Sequence, residues 1–96
     1  MTDRTTMRRK LRDLHIIKAT DRADFERLAE SLEVCKELTD ERDYAIFTDL
    51  YVYGRTATEL IAKYGKYCKW YFYDHARKVM ELLVKVYENN ITRQDL

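Results

Sequence analysis

Residues 54–83 read GRTATELIAKYGKYCKWYFYDHARKVMELL, and the fold turns on how this stretch divides. Thr56-Ala57-Thr58-Glu59 is a capping box: the Thr56 hydroxyl is expected to accept the Glu59 amide while the Glu59 carboxylate reaches back. Leu60, Ile61 and Tyr64 give the short helix behind it an apolar face. Tyr64-Gly65-Lys66 is then a tight turn. A longer helix follows from about Tyr67 to Asn89, with Phe72, Ala76, Val79, Leu83 and Val86 as a continuous core stripe at helical spacing. With that stripe inward, helical geometry turns Lys69, Tyr73, Arg77 and Trp70 outward.

Upstream, Gly54 is expected to end another helix in the left-handed conformation. That helix starts at Leu38-Thr39-Asp40-Glu41, with Thr39 as N-cap and the two acids where the helix dipole favours them. It carries Tyr44, Phe47, Leu50 and Tyr51 on one face. Residues 21–37 predict a helix with Phe25, Leu28, Leu32 and Cys35 inward. Glu26, Glu30, Glu33 and Glu37 lie on its outer face, within reach of Arg22 and Arg27 for weak local ion pairs. Residues 4–18 predict one amphipathic helix through Met7, Leu11, Leu14 and Ile17, with Arg8, Arg9, Lys10 and Arg12 on its other faces. Beyond Asn89-Asn90, the segment from Ile91 to Leu96 is expected to fray.

The expected fold class is therefore all-α, a single domain over residues 1–96 built from about five helices, with N-terminal helices at about 4–18 and 21–37. With two glycines and no proline in 96 residues, the chain lacks the turn residues an all-β protein of this size needs. Hydrophobic residues make up 46% and charged residues 36%, a balance that argues against disorder. No apolar run approaches the roughly 20 residues of a membrane span. The basic N-terminus has no apolar segment behind it, so no secretory signal is expected and the location implied is cytoplasmic.

The net charge of +1 hides an uneven layout. Residues 1–20 carry six Lys/Arg against two Asp/Glu, residues 21–50 four against ten, and residues 51–80 six against two. Basic segments attract phosphate locally, because salt confines the field to about 8 Å. A capped helix, a tight turn and a basic aromatic helix make the sequence shape of a helix-turn-helix at about 55–80, whose second helix is built for the DNA major groove. Lys69 and Tyr73, near that helix's start, are expected to meet base edges, and Arg77 and Lys78 phosphates. Thr56 and Thr58 are candidate donors to the DNA backbone. Lys63 and Lys66 flank the turn as further phosphate contacts. Trp70 divides evenly between contact and packing, whereas Tyr64, Tyr67, Tyr71 and Phe72 read as packing aromatics.

From Leu38 onward the pattern resembles region 4 of bacterial sigma-70 factors and related small phage regulators. The matching elements are Leu38-Thr39-Asp40-Glu41-Arg42, Tyr51-Val52-Tyr53-Gly54 and Glu59-Leu60-Ile61-Ala62. Lys69-Trp70-Tyr71-Phe72-Tyr73 followed by Ala76-Arg77-Lys78-Val79 is similar to the recognition helix of ArpU-type phage late-gene regulators. The resemblance covers about residues 38–88. It implies a phage or prophage transcription regulator that binds double-stranded DNA, with RNA polymerase as a further partner. Setting Ala62 on the family's small residue puts Phe72 and His75 at buried positions and Gly65 one place ahead of the usual turn glycine. Aligning on Gly65 instead would bury Asp74, and an unpaired buried carboxylate costs several kcal/mol.

Leu82, Lys85 and Val86 on the last helix are candidates for a homodimer contact, which would suit a two-fold operator. Catalysis is not expected. His15 reads as a flank residue and His75 as a core-edge histidine, and Cys35 and Cys68 fit no metal spacing. No cofactor is implied. The competing reading is a helical protein–protein interaction module, an adaptor or inhibitor, with the acidic segment from Asp24 to Glu37 facing a basic partner and Trp70 as anchor.

Overall fold

Four of the six α-helices of the described residues begin where a side chain satisfies amides that the helix itself leaves unpaired. In a computed structural model that describes residues 2–65 and 67–96, the Asp3 carboxylate accepts from the Thr6 amide at 2.8 Å and starts α1, Arg4–Arg12. The single helix expected over 4–18 is two: the backbone bends at Asp13 (φ −100°, ψ 20°) and resumes as α2, Leu14–Thr20. The bend sends Met7 and Leu11 into the core, while α2 packs on the following helix. Asp21 caps that helix, α3 (Arg22–Leu38), by accepting from the Asp24 amide at 3.1 Å.

The next boundary falls one residue later than expected. Thr39 closes α3 instead, donating its hydroxyl to the Cys35 carbonyl at 2.6 Å. Asp40 is the N-cap of α4, Glu41–Tyr51, accepting from the Arg42 amide at 2.9 Å. Gly54 has the expected positive φ, +69°, though α4 ends before it. The capping box at Thr56 and Glu59 forms in both directions and opens α5, Ala57–Tyr64. Gly65, at φ +91°, closes α5, and α6 spans Lys69–Glu88.

Helix α6 is the axis of the fold, in contact with α1, α3, α4 and α5. All five residues of its expected stripe are buried, joined by Met80 and Tyr87. Met7, Leu11, Leu28, Val34, Ile46, Phe47 and Leu60 close around them. Each such large side chain contributes roughly 1.5–3 kcal/mol on leaving water. Of the three residues expected at a dimer contact, Val86 lies inside this core, Leu82 is half-buried and Lys85 is exposed. Burial also pushes the Cys35 thiol up to about 12, while Cys68 is exposed.

The C-terminal segment is anchored rather than frayed. Asn90 turns the chain at φ +52°, Ile91 packs on the core, and Arg93–Asp95 form one 3-10 turn. Arg93 donates to the Glu30 carboxylate from its amide (3.0 Å) and from its guanidinium (3.2 and 3.0 Å). That fork-to-carboxylate geometry joins residues 63 apart, a pairing that no local pattern encodes. Among α3's outer acids, Glu26 pairs as expected with Arg22, at 3.3 Å. No helix of the described residues is long and apolar enough to cross a membrane.

Candidate nucleic-acid interface

The α5–α6 pair is held by aromatics on its inner side. Tyr64 lies 5.7 Å from Phe72 between ring centres, and Tyr67 stacks on Tyr71 at 4.1 Å. These rings are packed, as their spacing predicts. Arg42, from the first turn of α4, places its guanidinium 4.4 Å from the Tyr67 ring centre and within 6 Å of Tyr64 and Tyr71. A cation over the ring quadrupoles thus ties Tyr64, Tyr67 and Tyr71 to the start of α4. His75 sits at the core edge: its Nδ1 is 2.6 Å from the Asp43 carboxylate and its ring 4.1 Å from Tyr71. Arg42 and Asp43 therefore fix α6 from below, a role that nothing near them in sequence announces.

The register on α5 differs from the one expected. Ala57 and Leu60 are buried and Tyr64 half-buried, while Ala62 faces solvent and Ile61 sits at the rim. The three-then-four spacing of 57, 60 and 64 sets the inward arc. It leaves Ala57, not Ala62, as the small residue against the core.

On α6 the outward side chains fall where helical geometry puts them. Lys69, Trp70, Tyr73, Arg77 and Lys78 are all exposed, Trp70 at 64%. Lys69 Nζ lies 5.1 Å from the Trp70 ring centre, and Trp70 is 6.2 Å from Tyr73. Only Asp74 opposes the cations of this half, 3.5 Å from Arg77, while beyond it Glu81, Lys85 and Glu88 alternate in sign. Positive charge is thus concentrated in the N-terminal half of α6. Cys68, the N-cap, makes no side-chain hydrogen bond to the first turn, so the positive end of the helix dipole stays open there.

The residues before the turn divide. Thr58 is exposed. Thr56 is exposed too, but its hydroxyl is committed to the capping box, 3.1 Å from the Glu59 amide. Lys63 is committed as well: its Nζ lies 3.0 Å from Asp49, whose side chain is only 8% exposed. Arg55 approaches the same carboxylate at 3.4 Å and donates its amide to the Asp49 carbonyl at 2.8 Å. Lys63 and Arg55 thus compensate a buried charge, and holding it fixes the α4–α5 link. Asp49 gave no signal in the sequence, because it sits between the apolar positions Ile46, Phe47 and Leu50 like a surface residue. Lys66 lies outside the described residues.

Among the described residues no group of three or more His, Cys, Asp or Glu could hold a metal ion. No family model, curated protein or solved structure matches the chain. The functional reading therefore rests on residue chemistry and geometry.

Proposed function

We propose that this chain is a DNA-binding regulator of transcription that reads duplex DNA through a helix-turn-helix, with α5 as supporting helix and α6 as recognition helix. The observation that carries the reading is the basic and aromatic N-terminal half of α6. Lys69, Trp70, Tyr73, Arg77 and Lys78 stand in solvent on a helix whose opposite face is locked into the core. Recognition helices contact bases with their N-terminal residues, and this is the half where positive charge collects.

In this reading Lys69 and Tyr73 meet base edges, Trp70 packs against the groove wall, and Arg77 and Lys78 neutralise phosphates. Thr58 meets the backbone where α5 crosses it, while Lys63 positions the link through Asp49. The resemblance to sigma-70 region 4 and ArpU-type regulators supports a role in phage or prophage transcription, with RNA polymerase as a proposed second partner. That part of the proposal rests on the sequence motifs alone.

Selection of duplexes from a random library at low salt tests the reading. The expected result is an enriched site whose preference over unselected DNA is relaxed by Lys69→Ala and by Tyr73→Ala, each by about 1–3 kcal/mol. Failure to retain any duplex would overturn it in favour of the protein-interaction module.

A further inference from the structure

Helix α1 runs antiparallel to α6: Arg4 Nη1 lies 3.7 Å from Glu81, and Arg8 sits further toward the α6 N-terminus, beside Tyr73. A cleft of about 580 Å³ opens between them, lined by Arg8 and Arg12 on one side, by Tyr73 on the other, and by Tyr51 and Tyr53 at the end of α4. A second hollow of about 190 Å³ shares Arg8, Tyr51 and Tyr73 and adds Arg4, Trp70, Arg77 and Met80, with Asp74 as its one carboxylate. The two form one groove along the basic half of α6.

Its charges are weakly engaged. Arg8 lies 5.5 Å from the Tyr51 ring centre and pairs with no carboxylate among the described residues. Arg4 meets Glu81, and Arg12 meets Asp13, both at 3.7 Å, with the two arginine side chains 56% and 74% exposed. Exposed pairs of that kind are worth about 0–1 kcal/mol, so a phosphate can displace them at little cost. Positions 4, 8 and 12 fall on one helix face at intervals of about 6 Å. Packed helices lie about 8–10 Å apart, while the major groove is about 12 Å wide. A helix flanking a recognition helix therefore stands over the phosphates that border the groove.

We propose that α1 is a second DNA-contacting element: Arg4, Arg8 and Arg12 form a clamp on the sugar-phosphate backbone of the strand bordering the major groove that α6 enters. The inference deepens the proposed function and rests on it. The clamp touches no bases, so it contributes affinity and salt dependence but no sequence preference.

The test is a fluorescence-anisotropy titration of the full chain against a mixed-sequence duplex over a series of salt concentrations. It compares wild type with the double variants Arg8→Gln/Arg12→Gln and Arg8→Lys/Arg12→Lys, with thermal melts to establish that each folds. The Gln pair is expected to make the log–log slope shallower by about 1.8, at about 0.9 for each phosphate left without its cation. Affinity should fall by the same factor on selected and unselected duplexes, and the Lys pair should restore most of it. A folded Gln pair with an unchanged slope would overturn the clamp while leaving the reading of α6 intact. So would a loss confined to single strands of the same sequence. If wild type binds no duplex, the reading of α6 falls and the clamp with it.

Discussion

Two sets of basic residues share α1 and are treated in opposite ways. On its inner side Lys10 is 25% exposed and lies 2.7 Å from Asp24, itself 17% exposed. Asp24 also accepts from the Tyr87 hydroxyl, and the Arg27 guanidinium lies 4.0 Å from the Tyr87 ring centre. This network ties α1, α3 and α6 together. On the outer side Arg4, Arg8 and Arg12 face the groove with long, exposed pairings or none. Charge that the fold neutralises serves structure, and charge left in solvent beside exposed aromatics is available to an external anion. Substitution on either side can break this contrast.

The largest expected effect on folding is on the inner side. Asp24→Ala leaves the Lys10 ammonium and the Tyr87 hydroxyl partly buried without their acceptor, and should cost about 1–3 kcal/mol. For a domain of this size each kcal/mol moves Tm by roughly 4–8 °C. Calorimetry or denaturant unfolding reads the loss, and a change smaller than about 0.5 kcal/mol would remove the distinction between the two sets.

The same network predicts two pH limbs. Burial pushes the Asp24 carboxyl up, but hydrogen bonds from Lys10 and Tyr87 outweigh it and hold its pKa below the usual value. Its contribution is thus present above the unfolded pKa of about 3.9 and is lost as pH falls through the lower folded value. The hydrogen bond to Asp24 raises the Lys10 pKa against the opposing effect of burial. Burial, then the Asp24 hydrogen bond, raises that of Tyr87. Both contributions are complete below about pH 10 and are lost as pH rises through the raised folded values. Tm measured against pH should fall at both ends, and Asp24→Ala should flatten both limbs relative to wild type.

The outer side should behave oppositely. Lys69→Ala and Arg77→Ala should leave stability within about 0.5 kcal/mol, while a Tm loss comparable to that of Asp24→Ala would make these residues structural. The smallest perturbation is chemical: an aromatic disulfide reagent should modify Cys68 rapidly in the native protein and Cys35 only on unfolding. The Cys35 thiol is buried and pushed up to about 12, and thiolate is the reactive form. Two fast thiols would mean that the α3–α6 core opens readily.

Much of the fold was legible in the sequence wherever a rule is local. The stripe through Phe72, Ala76, Val79, Leu83 and Val86, the Thr56 capping box and the positive φ at Gly54 all depend on neighbours within a few residues. The misses involve distance or a break in phase. Met7, Leu11, Leu14 and Ile17 keep helical spacing across the bend at Asp13, so periodicity does not register it. Thr39 and Asp40 both qualify as N-caps, and the choice fell to Asp40 because the Thr39 hydroxyl bonds back into α3. Asp49, Arg42 and the Arg93–Glu30 pair take their meaning from partners that only the fold supplies. Of the candidate site, the outward face of α6 could be read from the wheel. The commitment of Lys63 to Asp49, and the approach of α1 to that face, could not.

The salt dependence of duplex binding by the unmodified chain tests most directly whether Arg77 and Lys78 of α6, with Arg4, Arg8 and Arg12 of α1, neutralise DNA phosphates as proposed. The predicted log–log slope is about −3 or steeper, several phosphates at about 0.9 each. Absence of binding at low salt, or an affinity that does not change with salt, would contradict it.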